Sequence, residues 1–112
     1  MTVSMYTVSI PVFIQHLNGL NTVLDKAATW AAARKVNETD LLDMRLPPDM
    51  FNLARQVRAA TPSGQTRQFT GQSLLLGNSL PNFYFHTTTA YDIVRQCGVE
   101  IGKRDFMGTP PT

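Results

Sequence analysis

The chain has 112 residues, 43% of them apolar and 16% charged. That length suits one domain and is too short for two, and the modest charge excludes a disordered acidic or basic tail. Ten Lys and Arg against eight Asp and Glu leave a formal net charge of +2, and seven of the ten cations are scattered arginines, which argues against a nucleic-acid-binding patch. The lone cysteine, Cys97, excludes an intrachain disulfide framework and a four-cysteine zinc site, and it suits a reducing compartment, the cytoplasm. The longest strictly apolar run extends only from Ile10 to Ile14, far short of a membrane span. The opening Met1-Thr2-Val3-Ser4 has no basic segment, so no secretory signal is expected.

The first segment reads as a helix. Ile10, Phe13, Leu17, Leu20, Leu24, Ala27 and Ala31 recur at spacings of three and four and form one seam, which Ile14 and Ala28 widen. Ser4 is placed to cap an early turn, and Pro11 to kink the helix or restart it. Strong helix formers with Arg34 and Lys35 mark its end before Val36-Asn37. Thr39-Asp40-Leu41-Leu42 reads as one short turn. A second main helix is expected over 48–60, with proline and acid in its first turn. Its inner face would carry Met50, Ala54 and Val57, with Phe51 and Leu53 beside them and Arg55 and Arg58 on the other side. The last helix is expected over 71–97, with Thr70 as its N-cap and Pro81 bending it. Leu76, Leu80, Phe83, Thr87, Ala90, Val94 and Cys97 make its seam, and Leu75, Ser79, His86 and Ile93 a parallel row. Gly98 fits the position just past its C-cap. No segment alternates like a strand; Arg67-Gln68-Phe69 is too short. The fold class is all-α, with about three main helices and a long kinked last one. Residues 1–108 read as a single helical domain and 109–112 as a short tail.

Several stretches carry a family resemblance. Leu80-Pro81-Asn82-Phe83-Tyr84-Phe85-His86, then Thr88-Thr89-Ala90-Tyr91 and Gly98-Val99-Glu100-Ile101-Gly102-Lys103-Arg104-Asp105-Phe106, closely resemble domain-of-unknown-function family nineteen-ninety-three. So do Ser4-Met5-Tyr6, Pro11-Val12-Phe13, Leu17, Leu20 and Leu24-Asp25-Lys26-Ala27 at the start. Leu46, Pro48-Asp49-Met50-Phe51 and Leu53-Ala54-Arg55-Gln56-Val57 continue the match. The resemblance covers residues 3–60 and 66–108. It implies a four-helix bundle of the DinB/YfiT-like superfamily, in a family whose own activity is not known. Related branches include metal-dependent thiol transferases and isomerases, which hold a divalent cation with three histidines, two of them four apart on the last helix.

This chain departs from that pattern twice. A long stretch of the family is replaced by Thr61-Pro62-Ser63-Gly64-Gln65, so the resemblance implies an incomplete bundle: either one open on one side, or a clipped product or a gene missing an exon. His86 stands where the first last-helix histidine belongs, but four residues on stands Ala90, and the second helix has no histidine. The implied metal site is therefore degenerate, and no metal or other cofactor is expected.

The chain has two histidines. His16 lies at the edge of the first seam and reads as a surface residue. His86 reads as a core-edge histidine bonded to a backbone carbonyl or to a Thr or Asn side chain. The alternative is a small pocket around Asn82, Phe83, His86, Thr89 and Tyr91, lined by Phe83 and Phe85, with His86 as general base or hydrogen-bond donor. Cys97 closes a helix C-terminus, where the dipole disfavours a thiolate, and reads as core. Trp30 and Tyr84 lie off their seams and could mark a partner surface. Arg55, Arg58 and Arg67 flank the second helix and its loop, but Pro47-Pro48 and the acids Asp40, Asp43 and Asp49 argue against a helix-turn-helix reader. Residues 102–106 read as an extended strap anchored by Phe106. The leading reading is an uncharacterised, non-catalytic bundle that self-associates as a homodimer, with neither nucleic acid nor membrane as partner. The alternative is a small-molecule binder or a transferase- or isomerase-like enzyme using the pocket around His86, with no substrate indicated.

Overall fold

The structure, a computed structural model, describes residues 4–60 and 75–110, and among these it is all-helical. Helix α1 spans Met5–Ala33 and runs through Pro11 without a break. It stops close to the expected place, by a Schellman turn. Lys35 takes a left-handed φ of 57°. Val36 N–H then donates to the Ala31 carbonyl at 2.8 Å and Lys35 N–H to Ala32 at 3.3 Å. The short turn is α2, Glu38–Leu42, capped by the Asn37 carboxamide, which accepts from Thr39 N–H at 2.8 Å.

The second main helix is shorter than the sequence suggested. Helix α3 spans Leu53–Ala59, not 48–60. Pro47-Pro48 instead make a tight turn closed by Met50 N–H on the Pro47 carbonyl at 3.0 Å. The deciding residue is Asn52, whose carboxamide accepts from Arg55 N–H at 3.0 Å and starts the helix there. The shift changes the buried face. Leu53, Gln56 and Ala60 are buried, whereas Ala54 and Val57 are only half-buried; Arg55 and Arg58 stay exposed as expected.

A π-helical turn, Leu75–Ser79, leads directly into α4, Leu80–Gln96. Pro81 is the second residue of α4, where its missing N–H and ring are tolerated, and the wider turn sits just before it. The expected Thr70 cap and first turn lie outside the described residues. The seam of α4 matches the sequence reading, with Phe83, Thr87, Ala90 and Val94 all buried. The helix closes on Gly98, whose φ of 102° is one that side-chain-bearing residues rarely adopt.

Residues 102–106 are not an extended strap. Lys103–Met107 form one helical turn, α5, started by the Asp105 carboxylate accepting from Gly102 N–H at 3.0 Å. The core joins these pieces: Leu20, Val23, Ala27 and Ala31 of α1 pack with Leu41, Leu53, Ala90, Ile93, Val94, Val99 and Ile101.

The first-helix seam holds only in its C-terminal half. Towards the N-terminus the buried residues are Gln15, His16 and Gly19, while Ile10, Ile14 and Leu17 are 46%, 54% and 40% exposed. The cause is α5, which lies along the polar side. A Cβ on Gly19 would run into the Phe106 carbonyl oxygen, so only glycine permits that approach. Gln15 Nε2 donates to the Met107 carbonyl at 2.7 Å, and Lys26 Nζ pairs with Asp105 Oδ1 at 2.8 Å. Trp30 also departs from its expected outward position. It is half-buried against the core, and its indole N–H is buried with no acceptor among the described residues.

Candidate functional site on the flanks of the last long helix

Helix α4 carries two different polar flanks. Towards α3 lie Asn82, His86 and Thr89, at helical spacings of four and three. Gln56 organises this flank from α3. It is 1% exposed, its Nε2 donates to the Phe51 carbonyl at 3.3 Å, and its Oε1 meets His86 Nδ1 at 2.7 Å. The Phe51 carbonyl can only accept, so it orients the carboxamide and makes Nδ1 the protonated nitrogen of His86. Nε2 of the neutral ring then keeps its lone pair. Burial pushes the His86 imidazole below its usual value, which favours that neutral form near pH 7. The Phe51 ring lies parallel to His86, centroids 6.1 Å apart, and Phe85 meets it edge-on at 5.1 Å.

The five residues read together from the sequence are spread around the helix. Asn82 is exposed and donates to the Ala59 carbonyl at 3.1 Å, tying α4 to the end of α3. Thr89 is buried, and its hydroxyl donates within its own helix to the Phe85 carbonyl at 2.7 Å. Phe83 is 4% exposed and edge-on to Phe13 at 4.9 Å. Tyr91 faces the other way, about half a turn from His86, and meets Phe106 at 6.0 Å. Asn82, His86 and Thr89 thus share a flank, Phe83 belongs to the interior, and Tyr91 belongs to the α5 side.

That second flank holds His16. It is 7% exposed rather than at the surface, because α5 folds over it. Its ring is surrounded by Tyr84 at 5.2 Å, Phe106 at 5.6 Å and Phe83 at 6.5 Å, and its Nδ1 is buried with no hydrogen-bond partner among the described residues. Tyr84 is half-buried here, not displayed to a partner, and burial raises its phenol above the usual value. Cys97 is half-buried against the core, and burial raises its thiol too, which disfavours the thiolate.

A three-histidine metal centre does not fit these residues. His86 is held by Gln56 on one flank of α4, while His16 packs against Tyr84 on the other. Ala90, four after His86, is fully buried and offers no donor atom. Among the described residues no three or more His, Cys, Asp or Glu side chains gather as an ion would require.

Beside the His86 flank an open groove of about 500 Å³ is lined by Phe51, Arg55, Arg58 and Ala59. The Arg55 guanidinium lies over the Phe51 ring, 4.1 Å from its centroid. The sequence pattern alone places Arg55 and Arg58 on the outer side of the helix and assigns Gln56 no partner. The available signal was a carboxamide three residues after Leu53, on the turn that α3 must bury.

The model of a family described as "Domain of unknown function (DUF1993)" matches the chain in two pieces, residues 5–65 and 60–107. Among solved structures, the chain is similar to the crystal structure of a DinB family member protein from Shewanella denitrificans. The two are 29% identical, the match covers 89% of each chain, and the TM-score is 0.78. Comparison with curated proteins gives no match. No helix among the described residues is long and apolar enough to cross a membrane.

Proposed function

The chain belongs to the DUF1993 domain family and has a DinB-like all-helical fold, and on that premise we propose that it is a non-catalytic cytoplasmic scaffold that pairs with a second copy of itself through the bare face of α1. One observation carries the reading: Ile10, Ile14 and Leu17 stand exposed at spacings of four and three on a long helix. From Met5 to Leu24 that helix contains no Asp, Glu, Lys or Arg. In a twofold pair each side chain meets the same surface of its partner. A charged face would repel its own copy; this one carries no such penalty, and it gains by removing apolar area from water. In this reading the family-type metal centre is degenerate, with Ala90 standing in for a ligand, and His86 serves packing rather than chemistry.

Sedimentation equilibrium from low to high micromolar protein tests the proposal. The wild-type chain is expected to dimerise, and Ile14→Lys to sediment as a monomer with unchanged helical circular dichroism. A wild type that stays monomeric throughout, or an Ile14→Lys variant that still dimerises, overturns it.

A further inference from the structure

We infer that α5 is a movable cover over a closed binding site, and that the socket beneath it takes a small neutral phenol in place of the Phe106 ring. The socket lies on the covered side of α1, away from the bare face, so the inference goes beyond self-association and does not depend on it.

Shape is the first support. The Phe106 ring meets His16 of α1 at 5.6 Å and Tyr91 of α4 at 6.0 Å. Tyr84 and Phe83 complete the walls, 5.2 and 6.5 Å from the His16 ring. The socket is thus already shaped around one aromatic ring, which the chain itself supplies. No carboxylate, lysine or arginine is among these wall residues, so a charged guest would lose its hydration with no compensating partner.

Chemistry is the second. His16 is 7% exposed, and its Nδ1 is buried with no hydrogen-bond partner among the described residues. The Phe106 ring has no polar atom to answer it, so a hydrogen bond goes unmade while α5 is seated. A phenol matches the ring and adds the missing group. Its hydroxyl both donates and accepts, so it suits Nδ1 in either tautomer.

Local stability is the third. Helix α5 is a single turn with no buried residue, and glycines stand at both its ends. The core cluster contains none of its side chains. It is tied down by Gln15 Nε2 on the Met107 carbonyl and by the Lys26–Asp105 pair. So light a hold lets α5 open as a unit while α1, α3 and α4 stay packed. The tethered Phe106 competes for the socket, so the affinity is modest and rises when that competitor is removed.

The test uses the full chain, labelled with carbon-13 and nitrogen-15 and titrated with phenol and with toluene, which lacks the hydroxyl. Phenol is expected to give saturable shifts of the His16 ring and of the amides of 103–107, with the His86 ring unmoved. Toluene should bind about tenfold more weakly. Phe106→Ala should bind phenol about tenfold more tightly than the wild type. If that variant does not fold, Asp105→Asn, which loses the Lys26 pair, carries the comparison with a gain of about twofold or more. His16→Phe should abolish the preference for phenol over toluene. In the free protein, the amides of Phe106 and Gly108 should exchange with deuterium faster than that of Val94. Exchange no faster than at Val94, no saturation at His16, toluene binding as tightly as phenol, a preference that survives His16→Phe, or an affinity unmoved by loosening α5 overturns the inference.

Discussion

The two sides of the N-terminal half of α1 invert the usual rule for a helix. One side buries Gln15, His16 and Gly19 beneath α5, while the other leaves Ile10, Ile14 and Leu17 in water. Composition does not explain the choice, since the bare side is the more apolar. Shape does. Glycine lets the α5 backbone come into contact, Gln15 satisfies the Met107 carbonyl, and aromatic rings close around His16. The side of a helix that is buried is therefore the one with a partner that fits, and a greasy side without one remains available to another molecule.

The comparison can be broken most forcefully at Gly19. Gly19→Ala forces its new methyl against the Phe106 carbonyl, so α5 must lift, and urea denaturation should show a loss of about 3 kcal/mol. A change below about 1 kcal/mol would mean that α5 does not seat there. Gln15→Leu keeps the bulk but strands the Met107 carbonyl, and should destabilise by about 1–2 kcal/mol in the same assay.

Acid should loosen the covered side by a smaller amount. Hydrogen bonds from Lys26 and then Gly102 hold the Asp105 carboxyl below its ordinary value. A carboxylate lowered on folding contributes stability above its unfolded pKa of about 4, and loses it as pH falls through the lowered folded value. Wild-type stability should therefore decline in that acidic window more steeply than that of Asp105→Asn, as denaturation midpoints against pH would record. The smallest effect belongs to the bare side. Ile14→Ser should shift monomer stability by no more than about 0.5 kcal/mol, yet weaken self-association in the ultracentrifuge. A large loss of monomer stability would show that this face is covered within the chain after all.

What the sequence revealed follows from which forces are local. Phe83, Thr87, Ala90 and Val94 were readable as the seam of α4 because helical periodicity alone places them, and Gly98 because one backbone angle requires it. The start of α3 differs from the expected one because the Pro-Asp signal at 48–49 competes with the cap at Asn52, and the hydrogen bond from Arg55 N–H decides it. Moving the start changed the buried face and brought Gln56 to His86. The burial of His16 was not readable, because its cover comes from Phe106 and no periodicity links residues so distant in the chain. Gly19 is the local sign of that cover, since a glycine within an otherwise good helix points to a close backbone approach. The groove needed Phe51 and Arg55 to meet across the start of α3, which depended on the same cap.

Trp30 turns this arrangement into an optical gauge with a single reading point. It is the sole tryptophan of the chain, it packs next to the turn at Gly98, and the Arg34 guanidinium rests over it at 5.4 Å. Its emission therefore reports the C-terminal end of α1, whereas Gly19 stands at the helix's middle. A perturbation that peels α5 away should leave that colour unchanged while proton signals of the His16 ring move, so fluorescence and magnetic resonance would separately time the loosening of the far end and of the middle of one rod.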